Sequence, residues 1–208
     1  MRPRHFFVVL LLSLVWTVAA MQSAAEPPAP LPNKDGSLKF AVLGDFGTGE
    51  RRQYELAEQM ATLHGRFQYD LVLLVGDNLY GSERPQDFQK KFELPYKPLL
   101  DAGVKFYAAL GNHDAREQRF YKLFNMEGKL YYTFSPKPNV RFFALDSTYP
   151  EPEQIQWIEK ELTASSNDWK IVFFHHPLCV PRLGWFSTWL QVPSRWRVSA
   201  YKRGKTVT

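Results

Sequence analysis

A single cysteine, Cys179, among 208 residues excludes an internal disulfide framework. It also excludes thiolate metal sites of the zinc-finger or iron–sulfur kind, which need several. No G-x-x-x-x-G-K-[ST], no H-E-x-x-H and no G-x-S-x-G occurs. Nothing therefore points to a phosphate-cradling P-loop, a metalloprotease helix or a serine nucleophile on a strand–helix elbow. Gly44, Gly47 and Gly49 lack the G-x-G-x-x-G spacing that a dinucleotide site needs. Acidic residues are missing from Leu178 onward, and no repeat or low-complexity run interrupts the middle of the chain. Apolar residues are plentiful: 45% hydrophobic and 15% aromatic, enough for one folded domain and incompatible with wholesale disorder.

The net charge of +5 invites a nucleic-acid or anionic-membrane partner until it is mapped. Arg2 and Arg4 precede an apolar stretch from Phe6 to Ala20, followed by small residues at Val18-Ala19-Ala20 and Ser23-Ala24-Ala25. This order reads as a cleaved export signal over residues 1–25, since fifteen apolar residues are short for a bilayer span. Six further basic residues lie in 178–208, so the segment Met21–Pro177 carries 18 basic and 21 acidic residues, a net −3. The global charge therefore supports no nucleic-acid partner. The mature protein is expected to be exported, with no stable membrane span.

Residues 26–37 form a proline-rich lead-in. Five short apolar runs come after it: Lys39–Leu43, Asp70–Val75, Val104–Leu110, Val140–Leu145 and Lys170–Phe174. Each has strand length and little alternation, which predicts strands buried on both faces. Arg51–His64 and Pro152–Leu162 have helical spacing, the first with Leu56, Met60 and Leu63 on one face, the second with Ile155, Ile158 and Leu162. Phe88–Leu100 reads as a helix broken by Pro95 and Pro98. Alternating strands and helices predict an α/β fold.

The residues at the end of each run carry the chemistry. The first run leads into Gly44-Asp45-Phe46-Gly47, the second into Gly76-Asp77-Asn78-Leu79-Tyr80 and the third into Gly111-Asn112-His113-Asp114. The fourth ends at Asp146 and the fifth at His175-His176-Pro177. In α/β sheets functional groups gather at the carboxyl ends of strands. A mixed set of carboxylate, amide and imidazole suits hard or borderline cations.

These motifs, in this order, resemble the calcineurin-like metallophosphoesterases. Gly47 and Tyr80 point to the purple acid phosphatase branch, whose pattern the chain matches over roughly residues 38–177. The resemblance implies a layered α-β-β-α sandwich and a dinuclear metal centre. Asp77 would bridge two metal ions, Asp45 and Tyr80 would hold the first, and Asn112 and His175 the second. A phenolate favours iron at the first site, with zinc, manganese or iron at the other. His113 would donate a proton or stabilise the phosphate, with Asp114 orienting it. Backbone amides of Thr48–Glu50 would add anion contacts. Asp146 and His176 match no ligand position, and Asp146 reads as a loop residue. The implied reaction is hydrolysis of a small phosphomonoester at acid pH. A phosphodiesterase of the same superfamily and an inactive binding protein on the same fold are the competing readings.

The family's closing G-H-x-H is missing, and none of the five histidines lies beyond His176, so each metal would lose one imidazole and activity of this chain is in question. Residues 178–208 hold three of the six tryptophans and six basic residues. They read as an aberrant, out-of-frame or prematurely ended segment that leaves the domain incomplete at its C-terminus. The alternative is a basic-aromatic tail for anionic surfaces.

Overall fold

The computed structural model describes residues 34–165 and 169–177, together with the short segments Tyr201–Lys202 and Lys205–Thr206. The stretch expected to be an export signal, most of the lead-in and residues 178–200 lie outside the described residues. So does the rest of the tail, apart from the antiparallel pairing of those two segments.

All five apolar runs form strands. Phe40–Leu43 (β1), Leu71–Val75 (β2) and Lys105–Ala109 (β3) pair in parallel in the order β1-β2-β3. Leu43 stands opposite Leu74, and Val75 opposite Ala109. The second sheet has the order β4-β5-β6, from Tyr132–Lys137, Val140–Ala144 and Trp169–Phe173. There β5 runs antiparallel to β4 and parallel to β6. The sequence pattern does not reveal β4, which contains Pro136. Its ladder slips between Phe134 and Lys137, an irregularity that lets a strand carry a proline without losing a ladder bond. Burial on both faces holds for β2, whose residues 71–74 are all buried. It fails for β1 and β6, which stand at the outer positions of their sheets: Val42 is 58% exposed, and Trp169 and Lys170 are exposed.

The sheets meet through aromatic side chains. Tyr107 stacks on Phe134 with centroids 3.7 Å apart, Phe40 meets Phe142 edge-on at 5.3 Å, and the Tyr132 hydroxyl donates to the Ala108 carbonyl at 2.9 Å. A second aromatic cluster, Phe92, Tyr96, Phe106 and Phe124, is fully buried beneath β3. Burying each ring contributes about 1.5–3 kcal/mol.

Helix α1 spans Arg51–Phe67 and connects β1 to β2. A short helix, Pro85–Phe88 (α2), runs into a π-helical turn at Gln89–Glu93, and Lys97–Asp101 forms α3. Pro98 sits in the first turn of α3, where its missing N–H has no helical partner to lose; it starts a helix instead of breaking one. Helix α4, Pro152–Ala164, connects β5 to β6.

The inward faces of α1 and α4 differ from the expected ones. Leu56 and Leu63 are each 41% exposed and Ile155 is 44% exposed, while Gln53, Ala57 and Gln154 are buried. The reason is polar. Both glutamines occupy the third position of their helix, from which an amide reaches back to the preceding loop. Gln53 Oε1 accepts from Gly49 N at 2.7 Å, and its Nε2 donates to the Lys91 carbonyl. Gln154 accepts from Asp146 N and donates to Asp146 O, both at 2.8 Å. Each helix is rotated so that its glutamine closes the loop at a strand end.

Candidate metal centre

The parallel order β1-β2-β3 places the residue that leaves β2 between those leaving β1 and β3. Asp77 is therefore central, with the Asp45 loop on one side and the Asn112-His113 loop on the other. Glycines allow this approach. A Cβ at Gly111 would lie 2.2 Å from Asp77 Oδ1, and one at Gly47 would lie 1.8 Å from the Asn78 carbonyl oxygen. No side chain fits at position 47, so a histidine there is excluded by the neighbouring backbone. Gly76, at φ +93°, leaves room for the His175 ring, whose Cβ would be 2.6 Å from an added methyl. Asp45 and Asp77 both adopt left-handed φ, 54° and 51°, a conformation costly for most residues and frequent where loops carry function.

Four of the five expected ligands come together. One oxygen or nitrogen from each of Asp45, Asp77 and His175 lies within 4.8 Å of the others. The Tyr80 hydroxyl is 3.0 Å from Asp77 Oδ2 and 3.2 Å from Asp45 Oδ1. Asp77 is buried, His175 and Tyr80 are half-buried, and Asp45 is exposed. Asn112 is exposed at the end of β3, beside His113, whose backbone N–H donates to Asp77 Oδ1 at 3.1 Å.

Two features fit this set to a cation. His175 Nδ1 lies 3.0 Å from the Val75 carbonyl. A carbonyl only accepts, so Nδ1 donates to it, and Nε2 is the atom turned toward Asp77 Oδ1, 3.5 Å away. A ring nitrogen and a carboxylate oxygen turned toward each other suit a shared cation between them. Likewise, Tyr80 has one hydroxyl proton for two carboxylates. Burial, and behind it the carboxylates of Asp77 and Asp45, push the Tyr80 phenol well above its ordinary pKa. A cation at that point would reverse the balance and favour the phenolate.

The residues expected to act on substrate are placed differently from each other. His113 is exposed, its ring tilted against that of Tyr80 with centroids 5.2 Å apart. Asp114 does not orient it. Its carboxylate accepts from the backbone N–H groups of Asn78, Leu79 and Gly111 at 2.8–3.0 Å and from Gln118 Nε2 at 2.8 Å. A carboxylate is the natural hub for four converging donors, so Asp114 locks the β2 and β3 loops together. Burial raises its pKa, against the opposing pull of those N–H bonds.

The expected anion contacts at Thr48–Glu50 are also corrected. Thr48 N donates to Phe46 O, Gly49 N to Gln53 Oε1 and Glu50 N to Thr48 Oγ1, so all three amides are already used. Asp146 is a loop residue: it accepts from Thr148 N and Tyr149 N and lies 3.7 Å from Arg116 Nη1. His176 Nδ1 is 3.0 Å from Ser147 Oγ. Burial first, then the neighbouring His175, lowers the His176 pKa.

Sequence reasoning missed the supports behind the ligands. Gln53 and Gln154 were legible as the final residue of E-x-x-Q at two helix starts. Glu83, which accepts from Ala115 N at 2.8 Å and Gln118 Nε2 at 2.9 Å, and Gln118 itself had no such signal.

Known proteins resemble the chain in sequence and in fold. The chain is 27% identical to Purple acid phosphatase 7 of Arabidopsis thaliana, over 81% of its own length and 62% of that protein's. It is 24% identical to human tartrate-resistant acid phosphatase type 5, over 79% of its length and 63% of the relative's. The chain thus spans about three fifths of the length of these curated relatives. Among solved structures, a dimetal phosphatase from Danio rerio shares the fold with a TM-score of 0.52 at 17% identity, covering 68% of this chain and 70% of that one. A model of the calcineurin-like phosphoesterase family matches residues 38–188, and with that match across most of its length the chain belongs to this family.

Proposed function

We propose that the protein is a metal-dependent acid phosphatase acting on small phosphomonoesters, with the Asp45–Asp77–Tyr80–His175 cluster as its catalytic centre. The convergence of those four side chains beyond the carboxyl ends of β1, β2 and β6 carries the reading. In it, Asp77 would serve both cations, Asp45 and Tyr80 would hold the first, and Asn112 and His175 the second. Tyr80 favours iron at the first position, while zinc, manganese or iron would suit the other. When bound, such a pair acidifies a water and neutralises charge on the phosphate.

The chain's own residues do the rest. His175 is oriented by its bond to the Val75 carbonyl and presents Nε2. Asp114 holds the Asn112-His113 loop against Asp77. In this reading His113, exposed beside Tyr80, acts as proton donor to the leaving alkoxide. The basic and apolar amino-terminal stretch supports export, which suits chemistry at acid pH.

Metal analysis of purified protein together with turnover of an aryl phosphate and the matching diaryl phosphate tests this reading. The expected results are two metal ions per chain, faster hydrolysis of the monoester, and loss of both metals and turnover in Asp77→Ala. His113→Ala should keep its metals and lose about 100-fold or more in kcat. A metal-free protein that hydrolyses neither ester would refute the proposal. Faster hydrolysis of the diester would move it to the phosphodiesterases.

A further inference from the structure

Beneath the Tyr80 loop lies a buried ammonium. Lys91 is 8% exposed and belongs to the π-helical turn Gln89–Glu93, closed by Leu94 N donating to Gln89 O at 2.9 Å. Its Nζ donates to the carbonyls of Tyr80 at 2.8 Å and Ser82 at 2.6 Å, with Asp87 Oδ1 at 4.0 Å. Asp87 in turn accepts from Ser82 Oγ, Arg84 N and Arg84 Nε. Burying an unpartnered ammonium is strongly unfavourable, so these acceptors and Lys91 hold each other in place.

The same residue also braces the other loop of the first metal. A Cβ on Gly49 would come within 3.0 Å of Lys91 Cγ, which puts the lysine stem against the loop that leaves Asp45. The Lys91 carbonyl accepts from Gln53 Nε2, and Gln53 Oε1 accepts from Gly49 N at 2.7 Å. An extra residue in a helical turn rotates the helix face by about 100°. Here it turns both Lys91 and Phe92 inward.

We propose that Lys91 is a positioning residue for the first metal, fixing the Tyr80 phenol relative to Asp45 by holding the loops that carry them. The inference rests on the metal reading proposed above. It predicts that loss of the ammonium changes how a trivalent cation is bound without touching any ligand.

The test is titration of the metal-free full-length chain with iron(III), read by the visible absorption of an iron-bound phenolate. Wild type, Lys91→Met, Asp87→Asn, Tyr80→Phe and Leu99→Ala would be compared. Wild type should develop the band and Tyr80→Phe should not. Lys91→Met should bind iron(III) about 10- to 100-fold more weakly, as expected for loss of an outer-shell support, with a shifted band. Asp87→Asn, which removes the carboxylate charge facing both the ammonium and the Arg84 guanidinium, should change both in the same direction and less. Leu99→Ala, which truncates a buried side chain of α3 and alters no hydrogen bond of Lys91, should keep the wild-type band. Wild-type affinity and band position in both Lys91→Met and Asp87→Asn would overturn the proposal; if Lys91→Met does not fold, Asp87→Asn decides alone. Equal iron binding by wild type and Tyr80→Phe, with no band in either, would instead remove the metal reading and this inference with it.

Discussion

Gly47→Ala is the sharpest test of how the centre is built. Gly47 does not have a positive φ, so an alanine there meets no backbone strain and its cost is steric alone. The new Cβ would lie 1.8 Å from the Asn78 oxygen, 2.5 Å from the Asn78 carbon and 2.7 Å from Leu79 Cα. All three are backbone atoms, with no flexible end to swing away. Restoring contact distance requires the two loops to separate by more than 1 Å, since carbon and oxygen pack at about 3.5 Å. That movement breaks Tyr80 N to Gly47 O, 2.9 Å, and Phe46 N to Asp77 O, 3.3 Å. Overpacking costs about 1–3 kcal/mol and two lost backbone bonds about 1 kcal/mol each, giving a loss of roughly 3–5 kcal/mol. The assay is urea unfolding followed by circular dichroism on the metal-free protein. Gly65→Ala, inside α1 with nothing within 4 Å of its Cβ, serves as the control and should stabilise by about 1 kcal/mol. A Gly47→Ala protein within about 1 kcal/mol of wild type would show that the loops are not packed as described.

Asp114→Ala strips four donors of their shared acceptor. It should lower stability by about 3 kcal/mol and remove hydrogen-exchange protection from the Asn78, Leu79 and Gly111 amides. Glu161→Ala leaves the Arg141 guanidinium, which also contacts Thr133 Oγ1 and Ser165 Oγ, without its carboxylate between β5 and α4. The pair is about one-fifth exposed, so a loss of about 1–2 kcal/mol is expected in thermal melts. The Arg84 side chain, then Ser82, hold the Asp87 carboxyl well below the usual carboxylate range. A depressed carboxyl contributes stability that is complete above its unfolded pKa and is lost as pH falls toward the folded one. Asp87→Asn should therefore flatten the acid limb of the melting temperature below about pH 4, and an unchanged limb would contradict the pairing.

The strands, and the residues that follow them, were legible because both are written in local sequence. Five apolar runs of strand length became β1, β2, β3, β5 and β6, and the Asp, Asn or His after each run stands at the carboxyl end of its strand. The helix faces were not legible, because the pattern of Leu56, Met60 and Leu63 describes apolar spacing alone. The α1 helix is instead turned by the hydrogen bonds of Gln53, and α4 by those of Gln154. Strand β4 escaped for a similar reason: Pro136 marks it as non-strand unless the slip in its ladder is known. Asp114 shows the remaining gap. The resemblance implied a partner for the His113 ring, yet two of the four donors to Asp114 are the amides of Asn78 and Leu79, 36 and 35 positions away, which only the folded chain brings beside it.

The bond from His175 to the Val75 carbonyl has a consequence for assembly. Asp45, Asp77, Tyr80 and Asn112 all leave strands of the β1-β2-β3 sheet, whereas His175 alone arrives from the β4-β5-β6 sheet. The residues it connects, His175 and Val75, are 100 positions apart in the chain. The proposed ligand set is therefore incomplete until the two sheets have docked, and a cation held by Asp77 and His175 together would act as a cross-link closing that long loop. Uptake of metal would then report the last step of folding, and release of metal would loosen the contact between halves before it loosened either half.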